Sequence, residues 1–444
     1  MTTSDNISGC LAEHDPNALP VTAAREVVRR FVEPVTTIER VALRAALGRV
    51  LAQDIVSPID VPAHDNAAMD GYAFAGACLA QPAGIPDAAD AAGAASLSLS
   101  LEVVGEALAG HPFAGTLAAG QCVRIMTGAP MPADCDTVVP QEFVTRSGAR
   151  IAFDARRITT GANRRRIGED LARGRPALFF GRIVRASDLG LMASLGIAEV
   201  AVRRRLRVAY FSTGDELRSV GEPLEAGCVY DSNRHTLFAM LSRLNVEPLD
   251  LGIVRDEPAA LDAALREAAQ AADVVLTSGG ISVGEADFTR GTLASLGDIA
   301  FWQLAMRPGR PLAFGRIGAQ GGATSKRATL FFGLPGNPVA VMVTFYQIVR
   351  EALLMMSGAH ASAPLQFAAT CSEPIKKRAG RTEYQRGIAT RAADGRWQVA
   401  PTRSQGSAVL SAMSEANCFI VLEHDQADLA AGSSVDIVPF EGLI

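Results

Sequence analysis

At 444 residues, with 48% apolar and 20% charged side chains, the chain is too long for one hydrophobic core and too evenly composed for a disordered segment or a coiled-coil rod. Lys and Arg total 42 against 47 Asp and Glu, and the net charge of −5 creates no field that would gather nucleic acid or an anionic membrane, so any anion site must be local. No uncharged apolar run reaches the roughly 18 residues of a membrane span; the longest candidate, Val339 to Val349, is bounded by Arg350.

The first residues carry Asp5, Glu13 and Asp15 without a basic, apolar and small-residue series, so no secretory signal is read and a cytoplasmic location is expected. Thr22 to Glu33 and Ile38 to Leu47 show helical apolar spacing, with Gly48 as a stop. Val50 to Val56, rich in β-branched residues and followed by Pro58 and Pro62, reads as a strand entering a new unit. Gln81 to Ser100 collapses largely to Ala, Gly, Ser, Pro and Asp and reads as a surface insertion. Short strands around Leu101 to Val104, Cys122 to Met126 and Thr137 to Val139 make a small β-rich module. The basic cluster Arg156, Arg157, Arg164, Arg165 and Arg166 reads as a solvated face.

From Arg207 strands and helices alternate. Val208 to Ser212, Leu249 to Val254, Asp273 to Thr277 and Thr329 to Phe332 read as strands of a doubly wound parallel sheet. Asp231, Ser232 and Asn233 are N-cap candidates for a helix through Leu244. Asp256 and Pro258 open a second helix, and Asn337 with Pro338 opens an apolar one that stops near Gly358. Beyond residue 360, Phe367 to Cys371, Trp397 to Val399, Phe419 to Leu422 and Val435 to Val438 suggest a small β-barrel. The expected domains are 1–57 with 148–204, elongated; 58–147, the inserted β-rich module; 205–357, α/β; and 358–444, the barrel.

Ligands of an open α/β sheet bind at the carboxyl ends of its strands, and three successive strands here run into Thr213-Gly214-Asp215-Glu216, Arg255-Asp256 and Thr277 through Asp287. Gly279 and Gly280 let backbone N–H groups approach a phosphate or another oxyanion, and Glu285 and Asp287 follow at once. Carboxylates beside an anion loop require a hard cation between them, so phosphate plus Mg²⁺ is the economical reading. Seven scattered cysteines without a C-x-x-C pair, and six dispersed histidines, leave oxygen as the expected ligand type for any metal. Arg307-Pro308-Gly309-Arg310-Pro311 projects two guanidiniums suited to a tetrahedral oxyanion. Pro335-Gly336-Asn337-Pro338 joins a strand to a helix N-terminus, which also favours anions.

The runs MDGYA (Met69 to Ala73), RIMTGAP (Arg124 to Pro130), STGDEL (Ser212 to Leu217), TSGGISVGEAD (Thr277 to Asp287), RPGRP and GLPGNP, in that order, resemble the molybdopterin molybdenumtransferase family, to which the gephyrin C-terminal domain is related. The resemblance implies a molybdopterin-binding α/β domain and insertion of molybdate, as substrate, into adenylylated molybdopterin with Mg²⁺-dependent release of AMP. By motif it marks Asp70, Thr127, Glu216, Asp256 and Asp287 as catalytic; Glu216, Asp256 and Asp287 are then expected to hold Mg²⁺ or to orient the pterin phosphate, and Arg307 and Arg310 to hold an oxyanion. Gly279, Gly280, Ser282, Arg307, Arg310, Pro335, Gly336, Asn337, Pro338 and Asp170 become substrate-binding positions. It further implies a homodimer whose cleft is shared between the α/β domain of one subunit and the DGYA-bearing module of the other, and contacts with other proteins of molybdenum cofactor biosynthesis. Arginines stand in the RPGRP turn where the family usually has lysine, and Gln303 stands where a further lysine is frequent. Arg381 to Gly387 and Ser404 to Ser407 resemble family segments only loosely and are left outside the site. The alternatives are a molybdopterin adenylyltransferase, which resembles the 205–357 domain alone, and a non-catalytic gephyrin-like scaffold.

Overall fold

The computed structural model of the chain describes residues 7, 15, 18–80, 98–280, 291, 293, 295–318, 328–360 and 363–441. It divides into two compact units, one of Met1–Ala52, Gly181–Arg185 and Glu199–Ile444, the other of Gln53–Phe180 and Ala186–Ala198.

The first unit begins with helix α1 (Val21–Phe31), close to the expected span, and strand β1 (Ile38–Ala42). A helix was the expectation for Ile38 to Leu47. Instead β1 pairs antiparallel with Glu199–Arg203, from Ile38 opposite Arg203 to Ala42 opposite Glu199, and only Leu43–Ala46 coils, as a 3₁₀ turn. A partner strand some 160 residues away overrides a local period that fitted a helix. The strand expected over Val50 to Val56 shrinks to Ile55–Val56, while Val50 and Leu51 make isolated bridges.

In the second unit the β-rich module is one six-stranded sheet. Its strands are β2 (Gly71–Phe74), β3 (Ser98–Ala107), β4 (Gln121–Ile125), β5 (Thr137–Pro140), β6 (Thr145–Ser147) and β7 (Arg150–Asp154), in the order β5-β2-β4-β3-β7-β6. Alternate residues bury opposite faces: Phe74, Leu101, Cys122 and Phe153 on one, Ala73, Val123, Ile125 and Val138 on the other. Residues 98–100 of the Ala-rich segment belong to β3; the rest, 81–97, lies outside the described residues. Within the basic cluster, Arg156 pairs with Asp154, Arg164 with Asp65, and Arg157 lies 5.4 Å from the centre of the Phe143 ring.

The α/β part of the first unit contains β8 (Glu199–Arg203), β9 (Arg207–Thr213), α2 (Ser232–Arg243), β10 (Glu247–Val254), α3 (Pro258–Ala271), β11 (Val274–Ser278), β12 (Gly297–Gln303), β13 (Pro311–Ile317), β14 (Thr329–Leu334) and α4 (Pro338–Met356). Its six-stranded sheet runs β10-β9-β11-β14-β13-β12. The first four strands are parallel, as expected, but β13 runs antiparallel to both of its neighbours, β14 and β12; between β12 and β13 the short RPGRP turn folds the chain straight back where a crossover helix would be needed to keep it parallel. Both faces are covered. Tyr210, Leu276, Phe332 and Phe314 pack with α1, α2 and α4, while Ala209, Phe211, Val275 and Phe331 pack under α3 through Leu261, Leu265 and Ala268. Each fully buried Leu or Phe in these layers contributes about 1.5–3 kcal/mol. Helix α4 is long and apolar enough to cross a membrane, but 78% of its apolar window is buried inside the protein, as the core helix of a doubly wound sheet would be.

The C-terminal strands are β15 (Phe367–Cys371), β16 (Thr382–Arg391), β17 (Trp397–Pro401), β18 (Cys418–Leu422) and β19 (Ser434–Pro439). They pair β16-β17-β15-β19-β18, and β18 pairs back onto β16, closing a five-stranded barrel around Cys371, Val399, Cys418, Ile420 and Ile437. Its longest strand, β16, had no strand signal: Glu383, Gln385 and Arg386 break the apolar run and yet are buried. Those buried polar side chains lead to the site.

Candidate active site

The carboxyl ends of β9, β10, β11 and β14 lie on one edge of the sheet, and β13, antiparallel to β14, starts at that same edge. A cleft of about 1260 Å³ opens there. The strand order sorts its charges. Asp215, Glu216, Asp256 and Glu257 follow β9 and β10, the glycine loops follow β11 and β14 in the middle, and Arg307 and Arg310 sit in the turn between β12 and β13. The glycine loops in the middle are therefore flanked by carboxylates to one side and guanidiniums to the other.

On the acidic side, the Thr213 hydroxyl donates to Asp256 Oδ1, and the Asp256 N–H donates to Asp215 Oδ1 at 3.4 Å. Glu216 folds its carboxylate back over Gly214, where a Cβ would lie 2.6 Å from Oε2. The N-cap of α3 is Glu257 rather than Asp256, which leaves Asp256 facing the cleft, exposed. These are hard oxygen donors, the kind Mg²⁺ takes, and they fit that ion in chemistry. No three acidic or imidazole groups among the described residues converge as a ready-made cation cage. Asp287 and Ser282 lie outside the described residues.

In the middle, Gly279 has φ +93° and a Cβ there would stand 2.4 Å from the Thr213 carbonyl oxygen, so the loop fits only as glycine. Its N–H donates to the Leu334 carbonyl at 3.2 Å. Pro335, Gly336 and Asn337 line the cleft beside it. Asn337 occupies the N-cap position of α4 with Pro338 next, but its side chain makes no capping bond, contrary to the role expected for it. Pro338 starts the helix and is not among the lining residues.

The basic side is larger than the motifs suggested. Besides Arg307 and Arg310, the cleft is lined by Arg381, Gln405, Gly406 and Ser407 of the barrel, segments the sequence reading left out. Glu383, 1% exposed, accepts from Arg381 Nε at 3.0 Å and lies 3.9 Å from Arg307 Nη1, so one buried carboxylate steadies two guanidiniums. Arg386, also 1% exposed, donates to the carbonyls of Ser404 at 3.2 Å and Gly406 at 3.1 Å, and its Nε has no partner among the described residues. Burial, and then the like charge of Arg307, pull its guanidinium down to about 10. The Gln405 side chain bonds both the N–H and the carbonyl of Arg386 at 2.9 Å, and the Ser407 carbonyl accepts from Val339 N in the first turn of α4. A fixed, cation-backed polar loop results. In the sequence it is marked only by a loose likeness of Ser404 to Ser407 to a known segment and by small polar residues between strand-like runs.

Asp70 and Thr127 belong to the second unit. Asp70 Oδ1 accepts from both the N–H and the hydroxyl of Thr127 at 2.7 Å, and these two bonds, the backbone one first, hold its carboxyl below the usual carboxylate range. Asp170 lies in the same unit on an exposed turn, its N–H donating to the Val61 carbonyl at 3.0 Å; no hydrogen bond among the described residues joins it to Asp70 or Thr127. A depressed carboxyl favours the charged form above its unfolded pKa and loses that advantage as pH falls through the folded value. Thr127→Val should therefore move the Asp70 titration upward, part of the way back to the ordinary carboxylate range because the backbone donor remains. Carbon-detected NMR of the Asp70 carboxyl checks this, and an unmoved midpoint would mean the hydroxyl bond is not made.

Three family descriptions match successive parts of the chain: "MoeA N-terminal region (domain I and II)" at residues 19–196, "Probable molybdopterin binding domain" at 209–355 and "MoeA C-terminal region (domain IV)" at 368–440. The chain is 41% identical over 410 residues to a molybdopterin molybdenumtransferase of Haemophilus influenzae, covering 92% of this chain and 95% of that one. It is 32% identical over 415 residues to molybdopterin molybdenumtransferase 2 of Mycobacterium tuberculosis, with 92% and 95% covered. Among solved structures it is similar to a molybdopterin biosynthesis moeA protein of Pyrococcus horikoshii, at 27% identity and a TM-score of 0.78, over 95% of this chain and all of that one.

Proposed function

Since the chain belongs to the molybdopterin molybdenumtransferase family, we propose that it takes adenylylated molybdopterin and molybdate as substrates, joins the metal oxyanion to the pterin dithiolene and releases AMP. The observation that carries this reading is the charge order of the cleft, acidic, then glycine loops, then guanidinium. The glycine loops offer N–H groups to the pterin phosphate. Molybdate, a tetrahedral dianion, belongs with Arg307, Arg310 and Arg381, where the buried charge of Arg386 behind the Gln405–Ser407 loop adds to the attraction.

Glu216 and Asp256, with Asp287, would hold Mg²⁺, whose chemistry is to screen the phosphate charges and stabilise the departing adenylate oxygen. The chain's own part is to orient: Thr213 fixes the Asp256 carboxylate, and Glu383 fixes Arg307 and Arg381. Asp70 and Thr127 lie on a different unit from every residue lining the cleft, which supports a homodimer in which they act in the cleft of the second subunit. A cytoplasmic location and contacts with other molybdenum cofactor biosynthesis proteins belong to the same reading.

Pure protein given adenylylated molybdopterin, Mg²⁺ and molybdate should release AMP, and given molybdopterin with ATP should make no adenylylated pterin. Adenylylation in the second mixture would identify an adenylyltransferase; inactivity in both would leave a scaffold. Arg310→Ala should raise the molybdate concentration for half-maximal rate by roughly 10–100-fold, the loss of one charge-assisted contact, while pterin affinity changes less. The reverse order of effects would place the pterin phosphate, not molybdate, at this turn.

A further inference from the structure

The two glycine loops at the centre of the cleft leave different strands, β11 and β14, and Gly279, Gly280 and Gly336 have no side chains with which one loop could hold the other. Beyond the backbone bond from Gly279 N–H to the Leu334 carbonyl, two side chains among the described residues reach across, Ser278 and Asn233, and Asn233 bonds to both loops from outside. Asn233, in the first turn of α2 and on the cleft wall, donates from its carboxamide nitrogen to Ser278 Oγ at 2.7 Å and to the Gly336 carbonyl at 2.7 Å. An amide NH₂ has two hydrogens, and each goes to one loop. The reverse orientation would set Oδ1 against the Gly336 carbonyl, acceptor against acceptor. Ser278 Oγ in turn reaches the Pro335 carbonyl at 3.4 Å.

The helix that carries Asn233 is itself anchored. Buried Asp231, the N-cap of α2, accepts from Arg234 N at 3.1 Å and from Ser212 Oγ, near the end of β9, at 3.0 Å. A chain of hydrogen bonds thus runs from β9 through α2 to the loops of β11 and β14. Asn233 contributes nothing to the cap, because Asp231 provides it, and its Oδ1 is buried without a partner among the described residues. What the side chain does is tie two loops together.

We infer that Asn233 is a positioning residue that sets the separation of the two glycine loops, and through it the affinity for the phosphate-bearing pterin; this rests on the reading of the cleft as the adenylylated molybdopterin site. The tests are Asn233→Leu, which keeps the shape and removes both donors, and Asn233→Ser, whose one hydroxyl hydrogen can serve one loop only. Binding of adenylylated molybdopterin is measured calorimetrically, alongside the molybdate concentration for half-maximal rate and the melting temperature. The expected result is a pterin dissociation constant raised about 10–100-fold in Asn233→Leu and by an intermediate factor in Asn233→Ser, with molybdate half-saturation within about twofold of wild type.

A lowered melting temperature with unchanged pterin affinity would overturn the assignment and leave Asn233 a purely structural residue. So would failure of both variants to fold. If the wild-type protein itself does not bind adenylylated molybdopterin, the reading of the cleft fails; if it binds and both variants bind equally well, only the role of Asn233 fails.

Discussion

Gly279→Ala should reduce AMP release by more than about 100-fold, the scale on which a displacement near 1 Å in a reacting site is felt. Its new Cβ would sit 2.4 Å from the Thr213 carbonyl oxygen at a φ of +93°, and the obstacle is main chain at the end of a central strand, which cannot rotate away. Either β9 or the anion loop must move, and both line the cleft. Gly309→Ala is the informative contrast. Its φ is +96°, but the nearest atoms, Thr344 Oγ1 at 2.4 Å and Met306 Cε at 2.5 Å, are ends of side chains, so the turn should relax further and lose less activity. Single-turnover AMP release with circular dichroism checks both variants. Retention of more than about a tenth of wild-type turnover by Gly279→Ala would show that this strand end yields, and that the site does not need the geometry seen here.

The second large effect concerns the shared cleft. Asp70→Ala and Asp256→Ala homodimers should each be inactive, since every cleft carries one lesion. When subunits are exchanged in equal amounts, half of the dimers are mixed, and each mixed dimer has one intact cleft and one doubly damaged one, so about a quarter of wild-type activity should return. Exchange is followed with two affinity tags, activity by AMP release. Complete exchange without recovery would rule out complementation between subunits and place Asp70 in the cleft of its own chain.

Much of this molecule could be read from its sequence because its central strands are short, buried and bounded by turn residues. Val208 to Ser212 and Asp273 to Thr277 needed no knowledge of their neighbours, and the acidic and glycine-rich loops follow them directly. Where the reading failed, distant partners decided. Ile38–Ala42 is a strand because Glu199–Arg203 lies beside it, and β16 is a strand because β17 and β18 flank it, although its buried Glu383 and Arg386 argue locally for solvent. The same cause hid half of the basic wall: Arg381 and the Gln405–Ser407 loop enter the cleft through the closure of a barrel, and no motif records that closure. Asn233 was read as one of three capping candidates; only the fold shows Asp231 taking the cap and Asn233 reaching across to two other loops.

The antiparallel pair at the sheet edge has a genetic consequence. β12 and β13 are in register from Gly297 opposite Ile317 to Gln303 opposite Pro311, and β13 is pinned on its other side by β14, with Ala313 opposite Gly333. Phe314 fills one layer beside Trp302 and Phe332, whereas Ala313 faces the opposite layer under α3. Removing or inserting one residue between Leu304 and Arg310 would slip β13 by one position, exchange a phenyl ring for a methyl group between two full layers, and break both ladders at once. Substitutions at 307 and 310 leave that register untouched. Natural variation in this hairpin should therefore be rich in changed letters and nearly devoid of indels, so that its chemistry can drift, arginine for lysine, while its length is held constant by packing on the far side of the sheet.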